Sequence, residues 1–346
     1  MQKKPRYYWI DLLKVFSIFG VVFIHSCADS TLSLVSYYFR FCVPIFIITS
    51  FFLVERAQSS KSVEISPLNF WKQRIPRLVL PFLIWSSFYT ILNLQANYPS
   101  FLSWITRHWI GYGWSGQYYL IVLIQLIIIY PWLRKIHVTP RLLLAVGFIS
   151  FLFLYLPFSY LPLANASIIS KLRELPSIYW IFYVLFAIYT ARHYESIRHK
   201  LAKIATNNRF SLALAILLWP CLLIFEEIVL RAFDVNSQPY FRLSIMVVSC
   251  FIFLMFIKLD ILLESQPLRP WTGIRDVITW LSSWTLGVFC LNPLVIGILY
   301  SFHILNFHPS CNVGIFVYIF NPLAIYYIAV LMSWTISLLG AKALVK

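Results

Sequence analysis

Long apolar runs separated by short polar segments recur along the whole chain. A run of about 20 apolar residues matches the length of a helix that crosses a bilayer, and apolar runs of 10–14 residues are too short for this. The pattern therefore predicts an all-α, polytopic integral membrane protein with about ten transmembrane helices. The predicted spans are 9–28, 34–54, 77–95, 117–133, 141–161, 176–191, 210–230, 241–263, 280–302 and 314–339.

Composition supports a chain that is embedded in lipid throughout. Hydrophobic residues make up 60% of it and charged residues only 12%. Because no connection is long enough for a separate soluble unit, we expect a single membrane domain over residues 1–346. Most Lys and Arg residues fall in alternate connections, which indicates that both termini are cytoplasmic and that the protein is a multi-pass component of the cell (plasma or inner) membrane.

Charge and cysteine usage argue against two kinds of chemistry. The net charge of +16 follows from the topology signal and from attraction to an anionic lipid leaflet. Since the basic residues are divided among short loops, we expect no nucleic-acid partner, although an anionic cytoplasmic ligand fits this charge. The six cysteines show no CxxC or other metal-ligand spacing, so we expect no metal site.

The first predicted span carries three ionisable residues, Asp11, Lys14 and His25. A charge at the bilayer centre costs roughly 2.5–3.5 kcal/mol on insertion scales, so such residues usually face the interior of a helix bundle. On a helical wheel all three lie within about 60° of one another. This stripe indicates a reaction path with a titratable imidazole at its outer end, and the alternative is a hydrogen-bonded structural histidine.

A second group of ionisable residues shares the outer half of the membrane with His25. Arg40 lies in span 2, and Glu226 and Glu227 lie near the outer end of span 7. We expect these side chains to converge on one another or on a water-filled pocket, because unpaired charges are costly there. Adjacent residues on a helix point about 100° apart, so only one of the two glutamates should face the interior. The alternative is that the glutamate side chains extend to the outer membrane surface.

Two arginines mark the cytoplasmic start of span 3. Arg74 and Arg77 are three residues apart and so share one helix face. A guanidinium pair suits bidentate binding of phosphate, although the same pattern can be a simple topology anchor. Arg74 and Arg77 are predicted to lie at the same depth in the membrane as Asp11 and Lys14. Together these residues indicate a site for a phosphorylated cytoplasmic donor.

Five segments resemble, in order and spacing, the motifs of the acyltransferase-3 family of multi-pass membrane O-acyltransferases, and the resemblance covers nearly the whole chain. They read IDLLKVFSIFGVVFIH, VPIFIITSFFLV at 43–54, QRIPRLVLPFLIWS at 73–86, GQYYLIVLIQLIIIYPWL at 116–133 and SWTLGVFCLNPLVI at 283–296. The branch that looks most similar modifies poly-N-acetylglucosamine and other surface polysaccharides. Four positions depart from the family pattern: Lys14 stands for Arg, Phe51 for Gly, Tyr118 for Trp and Asn292 for His.

The resemblance implies a transfer reaction across the membrane. An acyl-CoA donor, most simply acetyl-CoA, would bind from the cytoplasm, and His25 would act as general base toward a hydroxyl of a carbohydrate or lipid-linked glycan acceptor. The donor would be held by Asp11, Lys14, Arg74 and Arg77, and the substrates would also meet Tyr118 and Asn292. Arg40 is placed to stabilise the developing oxyanion, with Glu226 beside it in the catalytic group.

A non-enzymatic exporter or flippase of a glycan or lipid intermediate is the rival interpretation. There His25, Arg40 and Glu226 would form a proton relay. The arginine pair favours the acyl-CoA enzyme, whereas the missing second histidine favours the rival. The identities of the acyl group and the acceptor stay open, and so does assembly into a homo-oligomer.

The charge asymmetry generates a prediction about topology. Single cysteines introduced as Lys61→Cys and Lys200→Cys should react only from the cytoplasmic side, and His308→Cys should react only from outside. Labelling of intact cells with an impermeant maleimide measures this directly. Residues 200 and 308 reacting from the same side would exclude the ten-span topology.

Overall fold

The computed structural model describes residues 6–26, 36–59, 66–92, 109–110, 113–159, 175–205, 209–233, 240–264, 271–302 and 315–346. Within these residues the chain is helical and has no strand. The α-helices are α1 (Tyr8–Ser26), α2 (Cys42–Ser59), α3 (Pro67–Arg74), α4 (Pro76–Leu92), α5 (Gln117–Leu133), α6 (Pro140–Ile149), α7 (Leu156–Ser159), α8 (Ile181–Arg192), α9 (Tyr194–Ala205), α10 (Arg209–Ala232), α11 (Leu243–Glu264), α12 (Trp271–Ser282), α13 (Thr285–Ser301) and α14 (Ile315–Leu338). A π-helical turn (Ser150–Tyr155) joins α6 to α7, and 3₁₀ turns occur at Ser177–Trp180 and Lys342–Leu344.

Each predicted span overlaps a helix, and the all-helical membrane class is confirmed. In the described ranges, five helical segments are long and apolar enough to cross a bilayer: Tyr8–Ser26, Cys42–Ser59, Pro67–Leu92, Leu243–Glu264 and Phe320–Leu338. A sixth arises if Gly273–Ser282 and Thr285–Ser301, bent by 65°, form one span. Three further apolar helices are shorter, so the count of about ten stays a prediction.

The largest shift from the predicted boundaries is at the second span. The sequence pattern predicts a span over 34–54 followed by a long cytoplasmic connection over 55–76. Instead, α2 begins at Cys42 and continues to Ser59, and α3 occupies Pro67–Arg74. Ser66 caps α3 by accepting a hydrogen bond from the backbone N–H of Asn69 at 3.4 Å. Glu55 to Ser59 and Asn69 to Arg74 therefore lie on helices rather than in an irregular connection.

Helix α1 lies at the centre of the bundle. It packs against α2, α11, α12, α13 and α14, and its 19 residues span about 28 Å at 1.5 Å per residue, close to the ~30 Å hydrocarbon core. Gly20 permits the close approach to α2, because a Cβ there would lie 2.5 Å from Cys42 Sγ and 2.6 Å from the ring of Phe39. The polar stripe of α1 is thus surrounded by protein on most sides.

Peripheral helices present large apolar side chains outward. Leu144 is 76% exposed, Phe153 70% and Tyr327 56%. In water such a surface would be a liability, but a bilayer supplies the apolar contacts it needs. The exposed apolar surface and the span-length helices together identify a membrane protein.

Helix α13 is interrupted by Pro293, which cannot donate a backbone hydrogen bond to the carbonyl of Phe289. The side chain of Asn292 replaces that donor. Its Nδ2 donates to the Phe289 carbonyl at 2.7 Å and to the Val288 carbonyl at 3.2 Å. Asn292 is fully buried, so this bond satisfies a carbonyl that would otherwise be costly in the membrane.

Tyr89 of α4 binds the backbone groups of α13 one residue further along, at Cys290 and Leu294. Its hydroxyl donates to the carbonyl of Cys290 at 2.7 Å and accepts from the N–H of Leu294 at 3.2 Å. These two groups would bond each other in a regular helix, so the phenol is inserted between them. The insertion fixes α4 against α13.

Removing that hydroxyl should loosen the bundle. Tyr89→Phe leaves two buried backbone groups without their partner, so we expect a loss of about 1–3 kcal/mol in the free energy of unfolding. The melting temperature of the purified protein in detergent measures it. The matched control Tyr300→Phe removes an exposed hydroxyl and should change little; equal melting temperatures for the two variants would contradict the inserted bridge.

Candidate active site

The C-terminal end of α1 brings together two of the predicted catalytic residues. His25 lies in the last turn of α1, and Arg40 lies in the turn just before α2. The guanidinium of Arg40 is close enough to act electrostatically on the imidazole of His25. The short separation follows from the tight packing of α1 on α2 at Gly20.

Arg40 is surrounded by phenols. Its Nη1 donates to the hydroxyl of Tyr240 at 3.5 Å, and its Cζ lies 5.5 Å from the ring of Tyr240 and 5.7 Å from that of Tyr37. Tyr118 also acts on it electrostatically, and the rings of Tyr118 and Tyr240 are 6.1 Å apart. In the described part of the chain no carboxylate pairs with Arg40, and its buried Nε has no hydrogen-bond partner.

A second arginine also lies against the ring of Tyr37. Arg242 is 3% exposed, its Cζ is 4.4 Å from the centre of the Tyr37 ring, and its Nη1 donates to Glu227. Glu227 also accepts from Arg231 Nε at 2.5 Å. Arg242 is the second residue of the predicted span 241–263, and the structure buries it because Glu227 compensates its charge.

The adjacent glutamates separate as their spacing predicts. Glu227 is the buried member and belongs to the Arg242 group, whereas Glu226 is only partly buried and accepts a hydrogen bond from Ser244 Oγ. The structure therefore links Glu227, rather than the Glu226 of the predicted catalytic group, to the aromatic ring beside Arg40.

In the first turn of α1, Asp11 is hydrogen-bonded to other residues of the protein. It accepts from Arg6 Nε at 2.7 Å and from Ser282 Oγ at 2.5 Å, while Arg6 Nη2 reaches the carbonyl of Thr279 at 3.3 Å. These bonds fasten α1 to the end of α12. Lys14 lies within electrostatic range of Asp11 and Arg6 but makes no hydrogen bond in the ranges that the structure describes.

The Arg74–Arg77 pair is divided between two helices. Arg74 ends α3 and is partly buried, Pro76 begins α4, and Arg77 is exposed in the first turn of α4. The two guanidiniums remain within electrostatic range of each other, and Arg74 also lies within range of Tyr130. Arg74 is thus partly enclosed by the bundle, whereas Arg77 lies at its surface.

Comparison with known proteins decides the family. The acyltransferase-3 family model, described as an acyltransferase domain, matches residues 7–342. The chain belongs to the acyltransferase-3 family. No curated protein and no solved structure matches it. The family resemblance of the five sequence motifs is confirmed, and membership supports membrane acyltransferase activity for the bundle described above.

This acyltransferase-3 protein also holds a buried carboxylate that the motif analysis does not single out. Glu55 of α2 is 1% exposed. It accepts from the hydroxyl of Tyr130, from Arg134 Nε at 3.2 Å and from Arg192 Nε at 2.9 Å. The network joins α2, α5 and α8. A sequence signal existed, since one acid directly follows the VPIFIITSFFLV motif and two arginines end spans on the same predicted side.

Neighbouring polar groups fasten the amphipathic helix α9 to the start of α1. Arg56 Nε donates to the hydroxyl of Tyr7 at 2.8 Å, and its Cζ lies 5.1 Å above the ring of Tyr194. Trp9 Nε1 donates to the Tyr194 hydroxyl at 3.2 Å. Burial raises the pKa of Tyr194 to about 12, so this phenol stays neutral at physiological pH.

Glu55 should be among the most sensitive polar positions for stability. Glu55→Ala leaves Arg134 and Arg192 without their shared carboxylate, and breaking a buried ion pair typically costs about 3–5 kcal/mol. Thermal unfolding in detergent measures the loss. Glu264→Ala is the matched control, because Glu264 is half-exposed, its pair with Arg198 lies at the surface, and it should contribute at most about 1 kcal/mol. Similar effects of the two substitutions would exclude the network as a main tertiary contact.

Proposed function

We propose that this membrane acyltransferase moves an acetyl or other short acyl group from cytoplasmic acyl-CoA onto a hydroxyl of a surface carbohydrate or its lipid-linked precursor. The protein would act in the cell membrane with both termini in the cytoplasm. One observation carries the proposal: within the family match, the buried cation of Arg40 lies beside His25 and has no carboxylate partner in the described residues.

His25 is the proposed general base. It removes the proton of the acceptor hydroxyl while the oxygen attacks the thioester carbonyl, and CoA leaves as the thiol. A positioned base typically contributes 10²–10⁴-fold to the rate. The place of His25 at the outer end of α1 supports this role, since a sugar hydroxyl outside the membrane would reach that end first.

Arg40 is the proposed oxyanion stabiliser. Negative charge develops on the thioester oxygen during attack, and a cation in a water-poor site stabilises it strongly. A carboxylate partner would cancel that effect, and Arg40 is surrounded by phenols instead. Tyr118 and Tyr240 supply hydroxyl groups that can hydrogen-bond a sugar. Glu227, rather than Glu226, supports this group, because it binds Arg242 beside the ring of Tyr37.

The inner residues divide between donor binding and structure. Lys14, Arg74 and Arg77 supply the positive charge for the phosphates of CoA. Asp11 supports them indirectly, because its own bonds hold α1 to α12. Asn292 uses its Nδ2 to satisfy the carbonyl freed by Pro293. Its buried Oδ1 has no hydrogen-bond partner among the described residues and can accept a bond from a substrate.

Loss of the base or of the cation should abolish transfer without unfolding the protein. We expect His25→Ala to lower acyl transfer by about 10²–10⁴-fold and Arg40→Ala by about 10²–10³-fold in kcat, with CoA binding retained. CoA release from acetyl-CoA, with a membrane glycan extract as acceptor, measures both rates in purified protein. His199→Ala and Arg141→Ala are the controls, since both residues are exposed and away from the site.

Near wild-type transfer by His25→Ala would contradict the mechanism. If the wild-type protein transferred no acyl group, and His25→Ala stopped glycan export in cells, the exporter interpretation would replace the enzyme.

A further inference from the structure

A cavity opens beside the Glu55 network, where the end of α2, the start of α3 and the end of α5 meet. It has a volume of about 190 Å³, and its lining includes Gln58, Ser66, Phe70, Tyr130, Arg134 and Lys135. A water molecule occupies about 30 Å³ of liquid, and pockets for drug-sized ligands begin near 300 Å³. The cavity therefore suits one small chemical group and cannot enclose a whole nucleotide.

The charges around this cavity favour an anion. Arg134 and Lys135 line it, and no acidic residue of the described chain does so. Glu55 lies next to it, but its single charge is shared between Arg134 and Arg192. Arg74 adds a further cation within electrostatic range of Tyr130 on the cavity wall. The balance around the cavity is positive.

Gln58 supplies an independent indication of a ligand. The residue is 8% exposed, lines the cavity and makes no hydrogen bond within the described residues. Its amide N–H groups are therefore available to bind a group that enters the cavity. The start of α3 adds the positive end of a helix dipole, because Ser66 and Pro67 border the same space.

We propose that this cavity binds a phosphoryl group, and that its source is the terminal phosphomonoester on the ribose of the CoA donor. The source rests on the proposed function, whereas the phosphoryl site rests on the cavity alone. A phosphomonoester carries about −1.5 to −2 charge at pH 7 and three acceptor oxygens, which match the ammonium, guanidinium and amide donors of the cavity. Arg74 and Arg77 then remain for the pyrophosphate of the same molecule.

Binding of two ligands to full-length protein in detergent tests the assignment. Calorimetry compares CoA with dephospho-CoA, which lacks only the ribose phosphate. For the Gln58→Ala/Lys135→Ala variant we expect the Kd for CoA to rise about tenfold or more, while the Kd for dephospho-CoA stays unchanged. Gln73→Ala/Lys200→Ala is the matched control, because both residues are exposed and lie outside the cavity lining.

An unchanged Kd for CoA in the cavity variant, or an equal loss for both ligands, would overturn the assignment. Acyl transfer is assayed separately. If the wild-type protein transfers no acyl group but the cavity variant still weakens CoA binding, the phosphoryl site stands and the proposed function is wrong. If wild-type protein binds no CoA, inorganic phosphate is the probe. Phosphate binding that the cavity variant loses would support a phosphoryl site with another source, and no phosphate binding by either protein would overturn the site.

Discussion

The cost of placing charge among membrane helices organises this protein. Asp11, Glu55 and Glu227 are each buried, and each accepts from at least two donors, at least one of which lies outside its own helix. Since a buried charge that loses one partner costs several kcal/mol of stability, these carboxylates hold the helices that they connect in fixed positions. Asp11 holds α1 to α12, Glu55 joins α2, α5 and α8, and Glu227 links α10 to the start of α11.

Two cations differ from these carboxylates, and they lie toward opposite ends of α1. Lys14 is near the N-terminal end of α1 and makes no hydrogen bond in the described chain, whereas Arg40 lies beside His25 at the C-terminal end and has no carboxylate partner among the described residues. In the proposed mechanism, Lys14 binds negative charge of the donor and Arg40 stabilises negative charge that develops during the reaction.

Helix α13 shows the same constraint acting on the backbone. Pro293 removes a helical hydrogen bond, and hydrocarbon offers no water to replace it. The amide of Asn292 and the hydroxyl of Tyr89 take over the freed groups. The motif that the segment SWTLGVFCLNPLVI resembles has a histidine at the position of Asn292, and in this chain the amide supplies the side-chain N–H donor beside the proline.

The sequence alone determined the all-helical membrane class, the family and the layer that His25 shares with Arg40. These follow from hydrophobic length, residue order and depth along a helix, which are properties of one segment at a time. Only the tertiary structure decided that Glu227 is the buried glutamate, that Asp11 holds α1 to α12, and that Glu55 and Gln58 lie beside a cationic cavity. Those outcomes depend on how each helix is rotated against its neighbours and on where α2 ends, and that rotation is set by packing between segments distant in sequence.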